Sequence, residues 1–436
     1  MRRLTFVLLL ALLVTGITTA QDDDADGLPT FDYDSFYTYH QPTGNRVIAG
    51  TGTFPDVTST DLPLEGLPAW LVGTAAEIGG NVVPLWATFM DDGGFQGTFA
   101  DETGALSISS LVTEYLPAGQ PPVLEISEFG AVVADPVEGS STRTHGVTDA
   151  NGNRLFISTA GELVLQAADG TELNRLAVNA LPDARIVLDD AGRAAIYIEA
   201  TDERYVHAIM GDALEAASLL VVNTVDLSTI GRVDLPGEQV FEGLSPIWAD
   251  VDEDGRADLI TTMSEGGAGA TLQVYRANGD LLASSDPIGQ SLRWRHQLAW
   301  GPFGADGENL LAEVLTPHIG GQVGFFRYDG AGRLERVNRL AGYTSHVIES
   351  PNLDMAVAGD FNGDGQPELV LPNQDRNEIA GLQMDAAGEI AVIWTLPLDG
   401  VLVTNLSAVT LDDESLALAV GVVDGEAAFL RVWVSN

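Results

Sequence analysis

The chain has 436 residues, of which 63 are acidic and 20 are basic, and its formal net charge at pH 7 is -43. A surface this negative repels nucleic acid and anionic membranes, so we expect neither as a partner. The chain contains no cysteine, which excludes disulfides and a cysteine-linked lipid anchor. Burial of its 45% hydrophobic residues must therefore stabilise the fold.

The first twenty residues have the pattern of a secretory signal peptide. Two arginines precede an apolar run, and small residues end the segment at Ala20. The apolar run is too short to cross a membrane, and the later ones are too short as well. We expect cleavage after Ala20, a secreted or periplasmic protein without a membrane span, an acidic linker over 21–30 and a single domain over 31–436.

Residues 145–436 contain repeated units, each about 40 to 50 residues long, a length typical of repeat architectures. The clearest unit, 245–287, reads as an apolar strand, an acidic loop centred on Gly255, two more strands, a tight turn and a fourth strand. The turn is Asn278-Gly279, a pair that favours a two-residue hairpin because both positions need positive φ. Asp-Gly pairs hold the same place in two other units.

Four short strands per unit without an amphipathic helix are typical of a β-propeller blade. We therefore predict an all-β propeller of four-stranded antiparallel blades, with seven blades, or eight as the alternative. The uncertainty in number arises from residues 30–144, which are less regular. The last unit ends after its third strand, so we expect an N-terminal strand, either 46–50 or 69–73, to complete it and close the ring.

Two units carry a complete acidic loop between their first and second strands. Each loop offers oxygen atoms at positions 1, 3, 5, 7 and 9 around a glycine at position 6, a spacing that wraps one Ca²⁺ ion. An EF-hand would need Glu at position 12, where Thr261 and Leu371 stand, and would need flanking helices. We predict two calcium ions. The proposed ligands are Asp250, Asp252, Asp254, the carbonyl of Arg256 and Asp258 in one loop, and Asp360, Asn362, Asp364, the carbonyl of Gln366 and Glu368 in the other.

The matching loops of the other units are degraded. The stretch 149–157 keeps Asp149, Asn151 and Asn153, but Arg154 replaces the glycine. We therefore expect ions in two blades only.

The stretches VAGDFNGDGQPELV and WADVDEDGRADLI resemble the calcium motif of the FG-GAP/VCBS repeat proteins, the blade type also found in integrin α-subunit propellers. The resemblance covers 145–436. It implies strand-flanked calcium sites that stabilise the blades, rather than a calcium sensor that opens.

A possible ligand site lies among the remaining loops. In a four-stranded blade the acidic loop and the hairpin turn share one face, and the other connections share the opposite face. Arg suits the recognition of carboxylates, and Trp suits stacking on sugars or protein contacts. We predict that these candidate residues share the opposite face: His145, His207, Arg293, Trp294, Arg295, His296, His318, His346 and Arg376. The alternative is that their side chains only satisfy nearby carbonyls and acids.

Catalytic signatures are scarce, because the chain has no HExxH, no GxSxG and no phosphate-binding glycine loop before a helix. Three converging histidines could hold Zn²⁺ or iron, but no set of defined spacing is present. We therefore predict a monomeric calcium-binding propeller that acts as a binding module for a carbohydrate or a protein. The alternative is an extracellular polysaccharide lyase or hydrolase that uses the histidine face.

Overall fold

The computed structural model describes residues 35–78, 81–100, 105–127 and 130–435. The predicted signal peptide and acidic linker lie outside the described residues. The described part is built of strands and one short 3-10 turn, Ala305–Gly307. No helix in it is long and apolar enough to cross a membrane.

The strands fall into eight blades, which we number in chain order, preceded by an N-terminal segment. This segment contains β1 (Ser35–Tyr37), β2 (Val47–Thr51) and β3 (Thr58–Pro63). Blade 1 contains β4 (Pro68–Ile78), β5 (Asn81–Met90), β6 (Phe95–Ala100) and β7 (Leu106–Ile108), and blade 2 contains β8 (Val123–Ser127) and β9 (Gly130–Val133). Blade 3 contains β10 (Val147–Thr148), β11 (Arg154–Ile157), β12 (Glu162–Gln166) and β13 (Glu172–Ala177). Blade 4 contains β14 (Val187–Leu188), β15 (Arg193–Thr201), β16 (Glu215–Asn223) and β17 (Thr229–Asp234), and the linking strand β18 (Val240–Phe241) follows it. Blade 5 contains β19 (Ile247–Ala249), β20 (Asp258–Glu265), β21 (Gly269–Tyr275) and β22 (Leu281–Ser284). Blade 6 contains β23 (Arg295–Gly301), β24 (Leu310–Leu315), β25 (Gln322–Tyr328) and β26 (Leu334–Ala341). Blade 7 contains β27 (Val357–Asp360), β28 (Glu368–Pro372), β29 (Glu378–Met384) and β30 (Ile390–Pro397), and blade 8 contains β31 (Val401–Leu402), β32 (Ser407–Thr410), β33 (Leu416–Asp424) and β34 (Ala427–Val434).

Neighbouring strands within each blade pair antiparallel. The linking strand β18 pairs with β16 of blade 4 and with β20 of blade 5, so these two blades form one nine-stranded sheet. Blade 2 has three strands in the described residues, because β1 pairs with β8 and β8 with β9. The predicted class, an all-β propeller of mainly four-stranded antiparallel blades, is confirmed. The described residues give eight blades, the alternative to seven, since the less regular N-terminal third holds both blade 1 and blade 2.

An N-terminal strand completes the last blade, but it is neither of the two segments that the sequence suggested. Strand β3 pairs antiparallel with β34, from Thr58 opposite Val434 to Pro63 opposite Phe429. Residues 46–50 instead enter β2, which pairs parallel with β27, and 69–73 belong to β4. The predicted closing segments were wrong because most positions of an outer strand are exposed. In β3 only Leu62 is buried, so the sequence of this strand lacks the hydrophobic alternation that would identify it.

The segment between β1 and β3 fills the middle of the ring. Its atoms hydrogen-bond to the first strands of several blades. These contacts are Leu188 N to Pro42 O (2.8 Å), Trp248 N to Thr43 O (2.9 Å), Ala358 N to Arg46 O (2.9 Å), Trp300 N to Asn45 Oδ1 (3.1 Å) and Ala408 N to His40 Nε2 (3.0 Å). The first strands therefore surround polypeptide rather than an open channel.

The hydrophobic core lies mostly between neighbouring blades. Phe325 and Val314 of blade 6, for example, belong to one buried cluster with Leu369 and Leu371 of blade 7. This packing fixes the angle between successive blades and hence the position of the loops at both faces.

Candidate functional site

The two acidic loops fold in the same way at the same place in blades 5 and 7. In each loop the first aspartate accepts backbone hydrogen bonds from within the loop. Asp250 Oδ1 accepts from Asp254 N at 3.0 Å, and Asp360 Oδ1 accepts from Asp364 N at 3.1 Å. The central glycines have φ near +81° and +85°, a conformation that L side chains rarely adopt. The glycine at position 6 is therefore required by the turn.

The ninth residue of each loop opens the following strand and is buried. Glu368 Oε2 accepts a hydrogen bond from Phe361 N at 2.8 Å, whereas its Oε1 is buried without a partner among the described residues. Burial raises the pKa of Glu368 to about 8, and the nearby Asp364 and Asp360 add to this effect. Burial likewise raises the pKa of Asp258 to about 7.

These residues fit a calcium ion. In blade 5, oxygens of Asp250, Asp252 and Asp254 all lie within 4.8 Å of one another, and this is the one group of three possible ligands of its kind in the described part of the chain. In blade 7 the amide of Asn362 replaces the second aspartate, and the unpartnered oxygen of Glu368 is the feature that fits a cation. A bound cation would offset the cost of these buried or clustered carboxylates.

The surroundings of the two loops differ in charge. In blade 5, Arg276 reaches Asp252 Oδ2 at 2.5 Å and Asp254 Oδ2 at 3.1 Å. In blade 7 a neutral amide stands close to the loop, since Gln383 Nε2 lies 3.0 Å from both carboxylate oxygens of Asp364.

The opposite face carries four interlocking loops, which we call the four-loop surface. These loops are 202–214, 285–294, 316–321 and 342–356. Glu349 N donates to Ile209 O at 2.9 Å, Thr316 N donates to Trp294 O at 2.9 Å, and Thr344 Oγ1 donates to Pro317 O at 3.0 Å. The four loops therefore form one continuous surface over blades 4 to 7.

Two histidines at the centre of this surface form a directed pair. His318 Nε2 lies 2.6 Å from His346 Nδ1, and His346 Nε2 lies 2.6 Å from the carbonyl oxygen of Ser350. Because a carbonyl only accepts, His346 must donate from Nε2 and accept at Nδ1 from His318. His318 therefore keeps its lone pair on Nδ1. Burial, together with a smaller contribution from His207, lowers the pKa of His318 to about 4.

A third histidine is held by a buried carboxylate. His207 Nδ1 lies 2.5 Å from Glu242 Oε1, and the hydroxyl of Ser264 donates to Glu242 Oε2. In its neutral form His207 therefore carries the proton on Nδ1 and a lone pair on Nε2. His207 and His318 thus each present an acceptor nitrogen on the four-loop surface.

Trp294 lies beneath the histidines and is 2% exposed. Its ring stacks on His296 at 4.7 Å and meets the edge of His346 at 5.4 Å, and its Nε1 donates to Glu242 O at 3.1 Å. His296 is also buried and contacts the hydroxyl of Ser345 at 2.9 Å. Trp294 therefore supports the histidines and offers no open ring for a sugar, contrary to its expected role.

The structure thus brings His207, His296, His318, His346 and Trp294 together and leaves Arg293 at the rim, where it donates to Leu292 O. The other predicted ligand residues lie elsewhere.

His145 stacks on Tyr37 at 5.1 Å near the middle of the ring. Arg295 is buried against Glu313 at 3.3 Å. Arg376, on blade 7, donates to Leu402 O at 2.9 Å. The Arg376 loop does join the same face, since Gly321 N donates to Gln374 Oε1 at 2.7 Å, but the Arg376 side chain turns towards blade 8. His145 and Arg295 are buried at the starts of their blades, and the sequence does not reveal that their side chains point inward.

Exposed aliphatic side chains around the histidines were missed. Val206, Leu292, Ile319 and Ile348 are 45%, 45%, 64% and 58% exposed, and each comes from a different loop of the surface. The sequence signal that could have found them is the large aliphatic residue within two positions of His207, Arg293, His318 and His346.

The backbone of the same loops is unusual. Ala208, Leu292, Thr316 and Glu349 have φ between +49° and +67°, although none is glycine. Such conformations cost about 1 kcal/mol or more each and tend to cluster at functional sites. Packing of these loops must therefore outweigh the cost of the unfavourable backbone conformations at these four residues.

No family model matches the chain, and no curated protein matches it. Among solved structures, the chain is similar to a europium-containing methanol dehydrogenase, with a TM-score of 0.53 and 8% identity over 89% of each chain. It is also similar to a WD40 domain of Toxoplasma gondii coronin (TM-score 0.41, 8% identity, 89% of each chain) and to a mitotic checkpoint complex (TM-score 0.41, 12% identity, 97% of this chain and 99% of that chain). At such identities the similarity concerns the fold alone. The protein belongs to the class of β-propellers, an architecture used for both binding and catalysis.

Proposed function

We propose that the protein is a secreted or periplasmic, calcium-stabilised propeller of the FG-GAP/VCBS type that binds a protein partner through its four-loop surface. The signal-peptide pattern of residues 1–20 supports export. The observation that carries the binding proposal is that Val206, Leu292, Ile319 and Ile348 are all exposed and stand on loops that hydrogen-bond to one another. Apolar side chains grouped in this way mark interaction sites.

The acidic loops of blades 5 and 7 are the proposed calcium sites, one ion in each. In each loop the ligands come from both ends of one connection, so an ion would hold the first strand of the blade to the second. Calcium would supply positive charge to carboxylates that burial and mutual repulsion destabilise. Extracellular calcium modules bind at about 10⁻⁴ to 10⁻³ M, the range in which binding is expected here.

The surface favours a protein over a carbohydrate. Sugar recognition by stacking needs an exposed aromatic ring, and the Trp294 ring is buried under the histidines. Protein interfaces instead use exposed aliphatic groups with a polar rim. Arg293 at the rim has no carboxylate partner among the described residues, so it can pair with an acidic group of the partner.

The test is a selection from a displayed library of secreted protein domains, with the same calcium-loaded protein probed on a glycan array. A ligand from the selection is expected to bind at least about tenfold more weakly to the Ile319→Asp, Ile348→Asp double variant, because a charge is placed in an apolar contact. Val225→Asp is the matched control, since Val225 is also 64% exposed but lies in the turn between β16 and β17 on the other face. Glycan binding without domain binding would contradict the protein partner. If the protein bound neither a protein domain nor a glycan, the proposal that it is a binding module would be contradicted.

A specific observation favours an enzyme as the second candidate. An imidazole held by a carboxylate with its other nitrogen open is an arrangement suited to a general base, and His207 with Glu242 has it. An extracellular polysaccharide lyase or hydrolase would use His207 and His318. Turnover on a polysaccharide panel that is lost in His207→Gln would favour it. His296 and His346 are poor targets for this test because both are buried and hydrogen-bonded.

A further inference from the structure

In blades 4, 5 and 7 a different side chain lies beside the acidic residues of the loop that joins the first two strands. In blade 4 the loop is degraded, and an arginine occupies it permanently. Arg193 N donates to Asp189 Oδ1 at 2.8 Å, and Arg193 Nε donates to Asp189 Oδ2 at 2.5 Å. The Arg193 guanidinium also packs over Trp248 at 4.8 Å and donates to Ala257 O at 3.2 Å. Here the side chain supplies the positive charge that the loop needs.

Blade 5 has a complete set of ligands and an arginine as well. The guanidinium of Arg276 contacts Asp252 and Asp254, and its Nη1 lies 3.9 Å from Asp258 Oδ1. Arg276 is anchored close to the loop, because its backbone N donates to Asp280 O at 2.8 Å in the turn between β21 and β22. The three contacted carboxylates are the third, fifth and ninth residues of the loop, which are three of its five proposed ligands.

Blade 7 has no such cation. The group beside Asp364 is the neutral amide of Gln383, which also donates to Gln366 O at 3.1 Å. No arginine is paired with Asp360, Asp364 or Glu368 in the described residues. No cationic side chain of the described residues therefore competes with an ion for this loop.

We propose that Arg276 is a built-in counter-ion that lowers the calcium affinity of the blade 5 loop. This inference rests on the proposed calcium binding. An incoming ion must displace the guanidinium from the carboxylates or bind beside its positive charge, and either event weakens binding. Arg276 is 37% exposed, so solvent screens the effect. Three partly exposed charge pairs correspond to a weakening of about tenfold.

The three loops therefore differ in what would balance their carboxylates. In blade 4 Arg193 would do so alone, in blade 5 Arg276 would compete with an ion, and in blade 7 an ion would bind without a competing arginine. The calcium affinity of the blade 5 loop would then depend on its arginine as well as on its ligands.

The experiment isolates the blade 5 site. Asp364→Asn disables the blade 7 loop, and calcium binding to this single variant is compared by isothermal titration with that of Asp364→Asn, Arg276→Gln. The second variant is expected to bind about tenfold more tightly. The matched control is Asp364→Asn, Arg333→Gln, because Arg333 is on the equivalent turn of blade 6 and pairs only with Asp286. This control is expected to bind like Asp364→Asn alone.

Equal affinity of Asp364→Asn with and without Arg276→Gln would overturn the inference while leaving calcium binding intact. Equal increases in calcium affinity from Arg276→Gln and Arg333→Gln would also overturn the inference, since the change in net charge of the protein would then explain the effect. Absence of binding to the unmodified protein at millimolar calcium would instead contradict the proposed function. If Arg276→Gln fails to fold, Asp364→Asn, Arg276→Met takes its place, with the same expected gain of about tenfold over Asp364→Asn and the same outcome, equal affinity, overturning the inference.

Discussion

Arg46 Nη2 lies 3.1 Å from Asp354 Oδ1 in the middle of the ring, and both side chains are buried. Arg185 Nη1 reaches the same oxygen at 2.8 Å, and Thr38 donates to Asp354 Oδ2 at 2.6 Å. Burial alone would raise the pKa of Asp354, but the two guanidinium groups hold it well below the usual range. The carboxylate therefore stays charged and links the N-terminal segment to the connections before blades 4 and 7.

The first prediction concerns this cluster. Arg46→Met should lower the free energy of unfolding by about 3 kcal/mol or more, because breaking a buried ion pair leaves an imperfectly paired charge behind. Chemical denaturation monitored by tryptophan fluorescence provides the measurement. Arg333→Gln removes an exposed ion pair and should cost less than about 1 kcal/mol. Similar losses in the two variants would contradict the role assigned to Arg46.

The second prediction concerns the closing strand. Leu62 is the buried residue of β3 and packs with Trp86 and Leu430. Leu62→Asp should destabilise the protein by about 3 kcal/mol, since it removes apolar contacts and buries a charge. Thr60→Asp, on the exposed positions of the same strand, should have an effect below about 0.5 kcal/mol. A comparable loss in both variants would indicate that β3 is not specifically packed.

The sequence predicted the features that depend on local residues. Positive φ at Gly279 and at the central glycines of the two acidic loops is required by the backbone, so these positions could be recognised directly. The two-residue hairpin expected at Asn278-Gly279 is wrong, because only Gly279 of the pair has positive φ and Gly279 N donates to Arg276 O at 2.9 Å in a longer turn. The middle of the ring could not be recognised in this way. The stretch around Pro42 and Gly44 reads as an exposed turn, yet its polar groups are buried because the first strands of several blades satisfy them.

The histidine site was predictable only in part. Assigning His318 and His346 to loops of the same face followed from strand order within their blades. Their contact at 2.6 Å depends on the angle between blades 6 and 7, which is fixed by side-chain packing. The same limit explains Trp294: its position next to His296 was visible, but its burial beneath the surface was not.

The third prediction uses the pKa of Glu368. Folding raises this pKa to about 8 by burial, so the folded protein binds a proton more tightly there than the unfolded chain does. Stability without calcium should therefore fall as pH rises from about 4.5 towards 8, the ordinary and shifted pKa values. Calcium binds the deprotonated carboxylate, so the rise in melting temperature caused by calcium should be larger at pH 8 than at pH 5. Differential scanning calorimetry at both pH values, with calcium or a chelator, measures the difference.

A variant separates this carboxyl from the others. Glu368→Gln mimics the protonated form, so it should be more stable than the unmodified protein at pH 8 in chelator and should lose part of the calcium response. Asp149→Asn is a useful comparison, since Asp149 belongs to a degraded loop and already accepts hydrogen bonds from Asn151 N and Asn153 N. A calcium response in Glu368→Gln equal to that of the unmodified protein would argue against an ion at blade 7.

The last prediction concerns the histidine pair. Burial lowers the pKa of His318 to about 4 and that of His346 to about 3, whereas both should titrate near 6.5 in the unfolded chain. The unfolded state therefore takes up protons first, and the contribution of this pair to stability should be lost as pH falls from about 6.5 towards 3. Protonation of both rings places N–H groups on the two facing nitrogens, His346 Nδ1 and His318 Nε2, so the loops should then separate. At pH 5, nuclear magnetic resonance should find His318 neutral, and its titration near 6.5 would contradict the pair. In His346→Gln the pKa of His318 should rise, because part of the burial that lowers it is removed.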